Sequence, residues 1–258
     1  MAPDLLHPAW SAPRGVRAAM SLRGGGVSAA PFGSLNLSFG VGDDAAAVAE
    51  NRARFAAALG APPVWMRQVH GTQVLRLTAA HRGLPAGAAP PVADAAWTSE
   101  PGLACTVGAA DCMPVLFALR DGSAVAAAHA GWRGLAGGVL QATLQALCEG
   151  TGARPQDVQA WLGPCIGPRQ FEVGGEVLTA FGHAGDPPDP ARFVPRPRAD
   201  GSAAWLANLP QLAKDGLAAC GVGEVTDAAT CTVEDPSRFF SFRRDRLTGR
   251  MAAAIWRV

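Results

Sequence analysis

The sequence of 258 residues contains no tyrosine and only one lysine, Lys214, although lysine and arginine together number 22. Lysine chemistry, whether a Schiff base or a phosphate-binding loop, therefore has one candidate residue and no motif around it. The formal net charge of +1 gives the chain no electrostatic reason to bind nucleic acid or an anionic membrane. Basic side chains that bind a ligand are thus expected to be arginines.

Long apolar runs and cysteine pairs are also missing. No apolar run approaches the roughly 20 residues of a membrane span, and the N-terminus shows no charged region followed by an apolar one. The six cysteines include no C-x-x-C pair. We therefore expect a cytoplasmic protein with reduced thiols and no membrane partner. No internal repeat or linker is visible, so residues 1–258 are predicted to form one domain.

Several catalytic signatures are absent. The chain has no H-E-x-x-H zinc motif, no G-x-S-x-G elbow, and neither half of the H-x-E and P-C-x-x-C pattern of nucleobase deaminases. A multicopper site of the fungal-laccase type needs more histidines than the five present, which are His7, His70, His81, His129 and His183. The candidate chemistry therefore narrows to individual thiols and imidazoles.

The region from Gly102 to Leu135 contains the clearest structural pattern. Apolar runs on either side of Asp121-Gly122 predict two strands joined by a tight hairpin. A two-residue loop would place Pro114 opposite His129, and a proline there favours an edge strand or a hairpin end. Cys112 and His129 would then be diagonal neighbours on one face, roughly 7–8 Å apart at Cα.

A thiol and an imidazole on one face permit three interpretations. With His70 as a third ligand they would form a zinc site whose fourth position is open for catalysis. Without a metal, Cys112 could be a nucleophile and His129 its base. The third interpretation is a buried thiol beside a structurally satisfied histidine. The spacing alone leaves all three open.

A helix is predicted to begin at Asp43-Asp44 and to close at Gly60, because aspartate caps helix N-termini and glycine ends helices. Its apolar face contains Val48, Phe55 and Leu59. Asn51 and Arg52 lie off that face, so they belong either to a solvated surface or to a substrate contact.

Other segments are read from the same periodicities. Residues 135–149 and 206–220 show helical patterns, whereas residues 63–78 and 157–162 predict strands, with a break at Gly71-Thr72. Two stretches rich in glycine, alanine, proline or charge, residues 81–91 and 185–202, are predicted to be loops.

A series of short motifs follows along nearly the whole chain. In order they are Gly33-Ser34-Leu35-Asn36-Leu37, Glu50-Asn51-Arg52, Gln68-Val69-His70-Gly71, Ala110-Asp111-Cys112-Met113-Pro114, His129-Ala130-Gly131-Trp132-Arg133-Gly134, Gly163-Pro164-Cys165-Ile166-Gly167, Cys231-Thr232, and Ser241-Phe242-Arg243-Arg244-Asp245 with Gly249-Arg250. Through these motifs the chain resembles the laccase-domain family of bacterial proteins. Members of that family have been labelled polyphenol oxidases, purine nucleoside phosphorylases and a peptidoglycan editing factor.

The resemblance implies a single-domain α+β fold, a layered α/β/β/α sandwich with mixed sheets. It implies a zinc site formed by His70, Cys112 and His129, with copper as the alternative metal because copper outcompetes zinc for nitrogen and sulfur ligands. It further implies phosphorolysis of adenosine, inosine and S-methyl-5′-thioadenosine, together with adenosine deamination. The partners are then a purine nucleoside and phosphate, and we expect a monomer.

Roles for individual residues follow from the matched motifs. Catalytic roles are predicted for Cys112, His129, Arg133 and Asp111. Substrate-binding roles are predicted for Asn36, Arg52, Gln68 and Arg243. The arginines are candidates for phosphate because their planar fork donates two parallel hydrogen bonds, and Asn36 is a candidate for sugar or base. Asp111 and Gln68 are also candidates to orient metal-bound histidines.

The chain departs from the family pattern where the family usually has tyrosine. Phe171 and Phe242 occupy those two positions. Any role of the hydroxyl groups is lost, whereas stacking of a ring on a base is retained. Two other activities stay open as alternatives, a cysteine- or zinc-dependent amidase that edits peptidoglycan precursors and a copper-dependent polyphenol oxidase.

Overall fold

A computed structural model describes residues 3–82, 89–183 and 188–258. Residues 83–88, from the first predicted loop, and residues 184–187, most of them from the second, lie outside this part. The helices are α1 (Ala45–Leu59), α2 (Trp132–Ala136), α3 (Val139–Thr151), α4 (Gly175–Ala180), α5 (Leu209–Ala219) and α6 (Phe242–Asp245). The strands are β1 (Leu5–Leu6), β2 (Val16–Ser21), β3 (Pro63–Val64), β4 (Val74–Arg76), β5 (Ala95–Thr98), β6 (Ala104–Ala109), β7 (Met113–Leu119), β8 (Val125–Ala130), β9 (Val158–Leu162), β10 (Glu172–Val173), β11 (Phe193–Pro195), β12 (Trp205–Ala207), β13 (Glu224–Asp227) and β14 (Met251–Arg257).

The strands form two large mixed sheets and one small sheet. The five-stranded sheet has the order β1-β2-β14-β6-β3, and the six-stranded sheet has the order β13-β9-β7-β8-β5-β4. Most neighbouring strands are antiparallel, but β3 and β6, β4 and β5, and β9 and β13 are parallel pairs. Strands β10, β12 and β11 form the small antiparallel sheet.

The two large sheets pack face to face, and their outer faces carry helices. Alternate residues of β14 show this arrangement, because Met251, Ala253 and Ile255 pack between the sheets. The intervening residues of β14 pack outward against α1, whereas α3 and α5 cover the outer face of the six-stranded sheet. The predicted α/β/β/α sandwich with mixed sheets is therefore confirmed.

Helix α1 begins and ends as predicted. Asp44 caps the N-terminus by accepting hydrogen bonds from the backbone amides of Ala46 and Ala47, and Gly60 ends the helix with φ +68°. Asn51 is fully buried, so the interpretation as a solvated surface is wrong for this residue. Its side chain bonds to the glycine-rich loop that precedes the helix, including the amide of Val27 and the hydroxyl of Ser28.

The helical pattern over residues 135–149 corresponds to two helices instead of one. Gly137 and Gly138 separate α2 from α3, and Gly138 has φ +92°, which only glycine adopts easily. Helix α3 also continues past Gly150, where the missing side chain leaves room for the ring of Trp97 on β5. The cap is Gly152, with φ +74°. The predicted helix over 206–220 is present as α5, with Pro210 in its first turn.

The register of the β7–β8 hairpin is the predicted one, since Pro114 pairs with His129. Of the two placements predicted for Pro114, the edge strand is wrong, because β7 lies between β8 and β9 in the middle of the six-stranded sheet, whereas the hairpin end is correct. Pro114 is tolerated there because it is the second residue of β7, and pairing with β9 begins only at Val115.

The strands predicted over residues 63–78 belong to different sheets. Strand β3 is an edge of the five-stranded sheet, and β4 is an edge of the six-stranded sheet. The connection between them crosses from one sheet to the other, and His70 lies on it. None of the helices in the described segments is long and apolar enough to cross a membrane.

Candidate metal centre and substrate cavity

Three side chains converge where the crossing connection meets the β7–β8 hairpin. One donor atom each from His70, Cys112 and His129 lies within 4.8 Å of the others. Nε2 of His70 is 3.7 Å from Sγ of Cys112, close to the roughly 3.6 Å that bond lengths of about 2.3 and 2.0–2.1 Å around a tetrahedral zinc imply. The rings of His70 and His129 meet edge to face with centroids 4.8 Å apart. His129 is buried, whereas His70 is exposed and Cys112 is half-buried.

Asp94 connects the two histidine-bearing segments. It is fully buried and directly precedes β5, and its carbonyl accepts a hydrogen bond from the amide of His129. Its Oδ1 lies 2.9 Å from Nδ1 of His129 and accepts a bond from the amide of His70. Its Oδ2 accepts bonds from the amides of Val69 and Gly71. One carboxylate thus holds the turn that carries His70, whose φ of +60° is unusual for a non-glycine residue.

Gly131 makes room for the three donors. A Cβ atom at this position would lie 2.7 Å from Cδ2 of His70 and 2.8 Å from Sγ of Cys112. Imidazoles and thiolates are ligand types of catalytic zinc sites. Because Gly131 has no side chain, these groups can approach one another. The donor set therefore fits a divalent transition metal.

The charges in this group are strongly coupled. Burial alone would raise the pKa of the Cys112 thiol, but His129 and His70 beside it lower that pKa to about 6. Burial likewise disfavours a charged His129, but the Cys112 thiolate and the Asp94 carboxylate raise the pKa of His129 to about 9. In the metal-free protein these opposite shifts favour a thiolate–imidazolium pair over a neutral thiol and imidazole.

A cavity of about 120 Å³ opens beside Cys112. It is lined by Ala110, Asp111, Cys112, Gly131, Trp132, Ile166, Phe171, Leu209, Phe242 and Arg243. A larger, more open depression of about 630 Å³ lies elsewhere, around Gly60 and Val258. Its lining arginines, Arg82 and Arg257, donate to backbone carbonyls. Of the two, the cavity beside Cys112 is therefore the candidate substrate site, because its lining includes Cys112 and Arg243.

Arg243 is the charged donor of this cavity. Its Nη1 donates to the backbone carbonyls of Gln170 and Glu172, and its guanidinium carbon lies 5.5 Å from the centre of the Phe171 ring. Within the described ranges, its Nε and Nη2 have no acceptor in the protein. Phe242, 47% exposed, forms the outer wall of the cavity. The side chain is thus anchored at one nitrogen and retains donors for an anionic ligand.

Asp111 has its carboxylate occupied by the chain itself. It accepts hydrogen bonds from the hydroxyls of Thr232 and Ser241, at 2.6 and 3.0 Å, and from the amide of Arg243, at 2.6 Å. These bonds tie the segment that carries Phe242 and Arg243 to the residue next to Cys112. Asp111 has φ +88°, a left-handed conformation that aspartate tolerates better than most residues.

The remaining predicted residues do not line this cavity. The side chain of Asn36 bonds to Ser38, Asp43 and the amide of Arg250. The side chain of Gln68 bonds to the backbone of Gly108 in both directions, at 2.7 and 2.9 Å.

Two of the predicted arginines are held by aromatic rings instead. The guanidinium carbon of Arg52 lies 4.5 Å from the ring centre of Phe39 and 3.9 Å from that of Trp65. Burial lowers the pKa of Arg52 to about 10. Arg133 is exposed and stacks on Trp132, with its guanidinium carbon 4.2 Å from that ring.

Sequence reasoning did not identify Asp94. The residues considered as partners of the histidines, Asp111 and Gln68, make their hydrogen bonds elsewhere. A signal did exist, because an aspartate directly precedes the short apolar strand β5. Using it would have required knowing that β5 pairs with β8, in the register that sets Ala95 opposite Ala128.

The described part of the chain is a layered α+β protein with two packed sheets. At one end of these sheets lies a cluster of two histidines and one cysteine, which is a ligand set that binds metals. A family model described as "Multi-copper polyphenol oxidoreductase laccase" matches residues 17–258. The chain belongs to this laccase-like family.

Relatives of known name match over nearly their whole length. The chain is 47% identical to "Purine nucleoside phosphorylase YfiH" of Escherichia coli (strain K12), covering 98% of this chain and 99% of that protein. It is 47% identical to "Purine nucleoside phosphorylase PA4543" of Pseudomonas aeruginosa, covering 97% of each. Among crystal structures, YlmD of Geobacillus stearothermophilus aligns with a TM-score of 0.89 at 33% identity, covering 100% of this chain and 97% of that one. Protein NMB0706 of Neisseria meningitidis aligns with a TM-score of 0.86 at 42% identity, covering 98% of both chains.

Proposed function

We propose that this chain is a zinc-dependent purine nucleoside phosphorylase that acts on adenosine, inosine and S-methyl-5′-thioadenosine. One observation carries the proposal. Cys112, one of the three donors in the His70, Cys112 and His129 group, lines a cavity that combines aromatic walls with an anchored arginine. This combination matches a substrate with a flat base and a phosphate co-substrate. The full-length similarity to proteins named purine nucleoside phosphorylases supports the same substrates.

Phosphorolysis places specific demands on the cavity. An oxygen of phosphate forms a bond to C1′ of the ribose as the bond from C1′ to the purine nitrogen breaks, and the departing base takes up a proton. The protein must hold phosphate and sugar in reacting positions and must bind the base as it leaves. A purine offers two faces for stacking, so Trp132, Phe171 and Phe242 suit the base.

Arg243 is our candidate for the phosphate contact. It lines the cavity, and its Nη1 is fixed by two backbone carbonyls, so Nε and Nη2 can donate to an anion without ordering a free side chain. Arg133, exposed on Trp132, and Arg52, between two rings, stay weaker candidates because neither lines the cavity. We expect Asn36 and Gln68 to stabilise the loops to which they are hydrogen-bonded and not to contact the substrate. Asp111 is expected to position the segment that carries Arg243.

His70, Cys112 and His129 would hold the zinc. Bound zinc supplies a Lewis acid that polarises water or a substrate oxygen. His129 would use Nε2, because its Nδ1 faces Asp94. Copper could occupy the same ligands, and this would account for an oxidase label without a multicopper site. We expect the enzyme to work in the cytoplasm as a monomer, which size-exclusion chromatography tests.

Product analysis tests the proposed reaction. Adenosine is incubated with zinc-loaded enzyme, with and without phosphate. Adenine and ribose 1-phosphate that form only with phosphate support phosphorolysis, whereas inosine formed regardless of phosphate supports deamination, which we expect as a second activity. If neither appears, the nucleoside assignment is wrong.

A second candidate function is favoured by a specific arrangement. Cys112, His129 and Asp94 are in the order of a thiol, an imidazole and an orienting carboxylate, as in cysteine hydrolases. An amidase that acts on peptidoglycan precursors would use Cys112 as a free thiolate. Zinc ligation and nucleophilic attack compete for the same sulfur atom. Rapid labelling of Cys112 by a thiol probe in metal-replete enzyme would favour the amidase.

A further inference from the structure

The carboxylate of Asp94 differs from the other polar groups near the donors because it contacts both histidine-bearing segments. Its two oxygens are used differently. Oδ1 faces Nδ1 of His129 and the amide of His70, each at 2.9 Å. Oδ2 faces the amides of Val69 and Gly71, at 3.0 and 2.8 Å. Three of the four groups that meet the carboxylate are therefore amide donors, and the fourth, Nδ1 of His129, is a donor when it carries a proton.

We infer that Asp94 is a positioning residue that sets the tautomer of His129 and holds the turn of His70, so that the donor group is formed before any metal arrives. An ionised carboxylate only accepts hydrogen bonds. With this acceptor 2.9 Å from Nδ1, we expect a neutral His129 to carry its proton on Nδ1 even though the Cys112 thiolate faces its other side, which leaves the Nε2 lone pair for a metal. The inference rests on the metal site proposed above.

The same carboxylate also explains the backbone at His70. This residue has φ +60°, a conformation that non-glycine residues adopt only with support from their surroundings. Three consecutive amides, those of Val69, His70 and Gly71, donate to Asp94 and keep the turn in place. Gly134 on α2 allows the turn to approach closely, because a Cβ there would lie 3.1 Å from the carbonyl oxygen of Gly71.

Replacing Asp94 by asparagine distinguishes this role from simple packing, because the two side chains have the same shape. If the amide oxygen occupies the Oδ1 position, the NH₂ group faces two backbone donors, those of Val69 and Gly71. If it occupies the Oδ2 position, the NH₂ group faces only the amide of His70 and can donate to Nδ1 of His129. The second orientation has fewer conflicts, and it moves the proton of His129 to Nε2, where it blocks a metal.

The experiment measures Zn²⁺ affinity by chelator competition and the tautomer of His129 by long-range ¹H–¹⁵N NMR. We expect Asp94→Asn to bind Zn²⁺ about 10- to 100-fold more weakly than the parent. In metal-free protein in alkaline solution, where the imidazoles are neutral, we expect the Nδ1–H tautomer in the parent and the Nε2–H tautomer in the variant. Asp43→Asn is the matched control, since Asp43 also accepts two side-chain hydrogen bonds but is bonded to neither histidine; its Zn²⁺ affinity should be unchanged.

Two results would overturn the inference. The first is an Nε2–H tautomer in the metal-free parent protein, which can be observed even if Asp94→Asn fails to fold. The second is a variant that keeps either the parent affinity or the Nδ1–H tautomer. Neither NMR measurement involves metal or turnover. A failed phosphorylase assay with the expected tautomers would therefore reject the proposed function and leave the role of Asp94 intact.

Discussion

Gly131 and Cys112 lie so close together that a methyl group on Gly131 would be 2.8 Å from the Cys112 sulfur. Gly131 has φ −71° and ψ 160°, which alanine adopts without strain. A substitution by alanine therefore tests space at the donor group, separately from backbone freedom.

Gly131→Ala should weaken Zn²⁺ binding by roughly tenfold or more, because the added methyl displaces His70 and Cys112, and disturbing groups that orient metal ligands has effects of this size. Chelator competition measures the loss. Gly40→Ala is the control, since its added Cβ would meet only the Ser38 hydroxyl, at an ordinary 3.7 Å. Equal affinities for the two variants would contradict the crowding argument.

Removal of the ligands themselves should abolish metal retention. Purified Cys112→Ala and His129→Ala should contain far less zinc than the parent by elemental analysis, because each loses one of three protein donors. Cys148→Ala, which removes a half-buried thiol from α3, should keep its metal. Full zinc occupancy in both ligand variants would show that the proposed site does not bind the metal.

Zinc binding should release protons in a pH-dependent number. The pKa of Cys112 is lowered to about 6 and that of His129 is raised to about 9, so between these values the metal-free pair holds one proton, on His129. Binding needs a thiolate and a neutral imidazole, so this pair should release about one proton in that window. The number should approach two below pH 6 and zero above pH 9, so affinity should fall as the pH drops below about 9 and should fall more steeply below about 6.

Calorimetry in buffers of different ionisation enthalpy measures this release. At pH 7.5 the observed heat should depend on the buffer, and the dependence should be steeper at pH 5.5. Heats that are independent of the buffer at pH 7.5 would mean that the thiolate–imidazolium pair does not exist in the metal-free protein.

The outcome of sequence reasoning depended on how local each contact is. The hairpin register follows from neighbouring residues, and it correctly placed Pro114 opposite His129. Asp94 contacts His129 across a strand pair that the local pattern does not reveal, 35 positions apart in the chain. The residues alone offered His70 only as a possible third ligand, and the family resemblance made it a predicted one, because its position depends on a connection that crosses between sheets.

Arginine roles were the least accessible to sequence reasoning. A long side chain can reach a carboxylate, a ring, a carbonyl or a ligand, and the motif does not tell which. Arg52 lies between two rings, Arg133 stacks on its neighbour, and Arg243 lines the cavity. Only the fold separates these cases, and their assignment to phosphate stays a prediction.

Arg243→Lys should raise the KM for phosphate by about tenfold or more with a smaller effect on the KM for nucleoside, because a hydrogen bond to a charged group is worth about 1.5–3 kcal/mol and lysine lacks the fork. Arg133→Lys, at an exposed position outside the cavity lining, is the matched comparison and should change the phosphate KM little. The reverse ranking in steady-state kinetics would move the phosphate contact to Arg133.

Phe242 should contribute to nucleoside binding through its ring. It forms the outer wall of the cavity, and nearly half of its surface is free to meet a base. Phe242→Ala should raise the KM for adenosine about fivefold or more, since stacking of one base on an aromatic ring is worth about 1–3 kcal/mol. Phe242→Tyr, which keeps the ring and restores the residue usual in the family, should retain a KM close to that of the parent. If the alanine variant keeps the parent KM, or if the tyrosine variant loses as much as the alanine variant, the base does not stack on this ring.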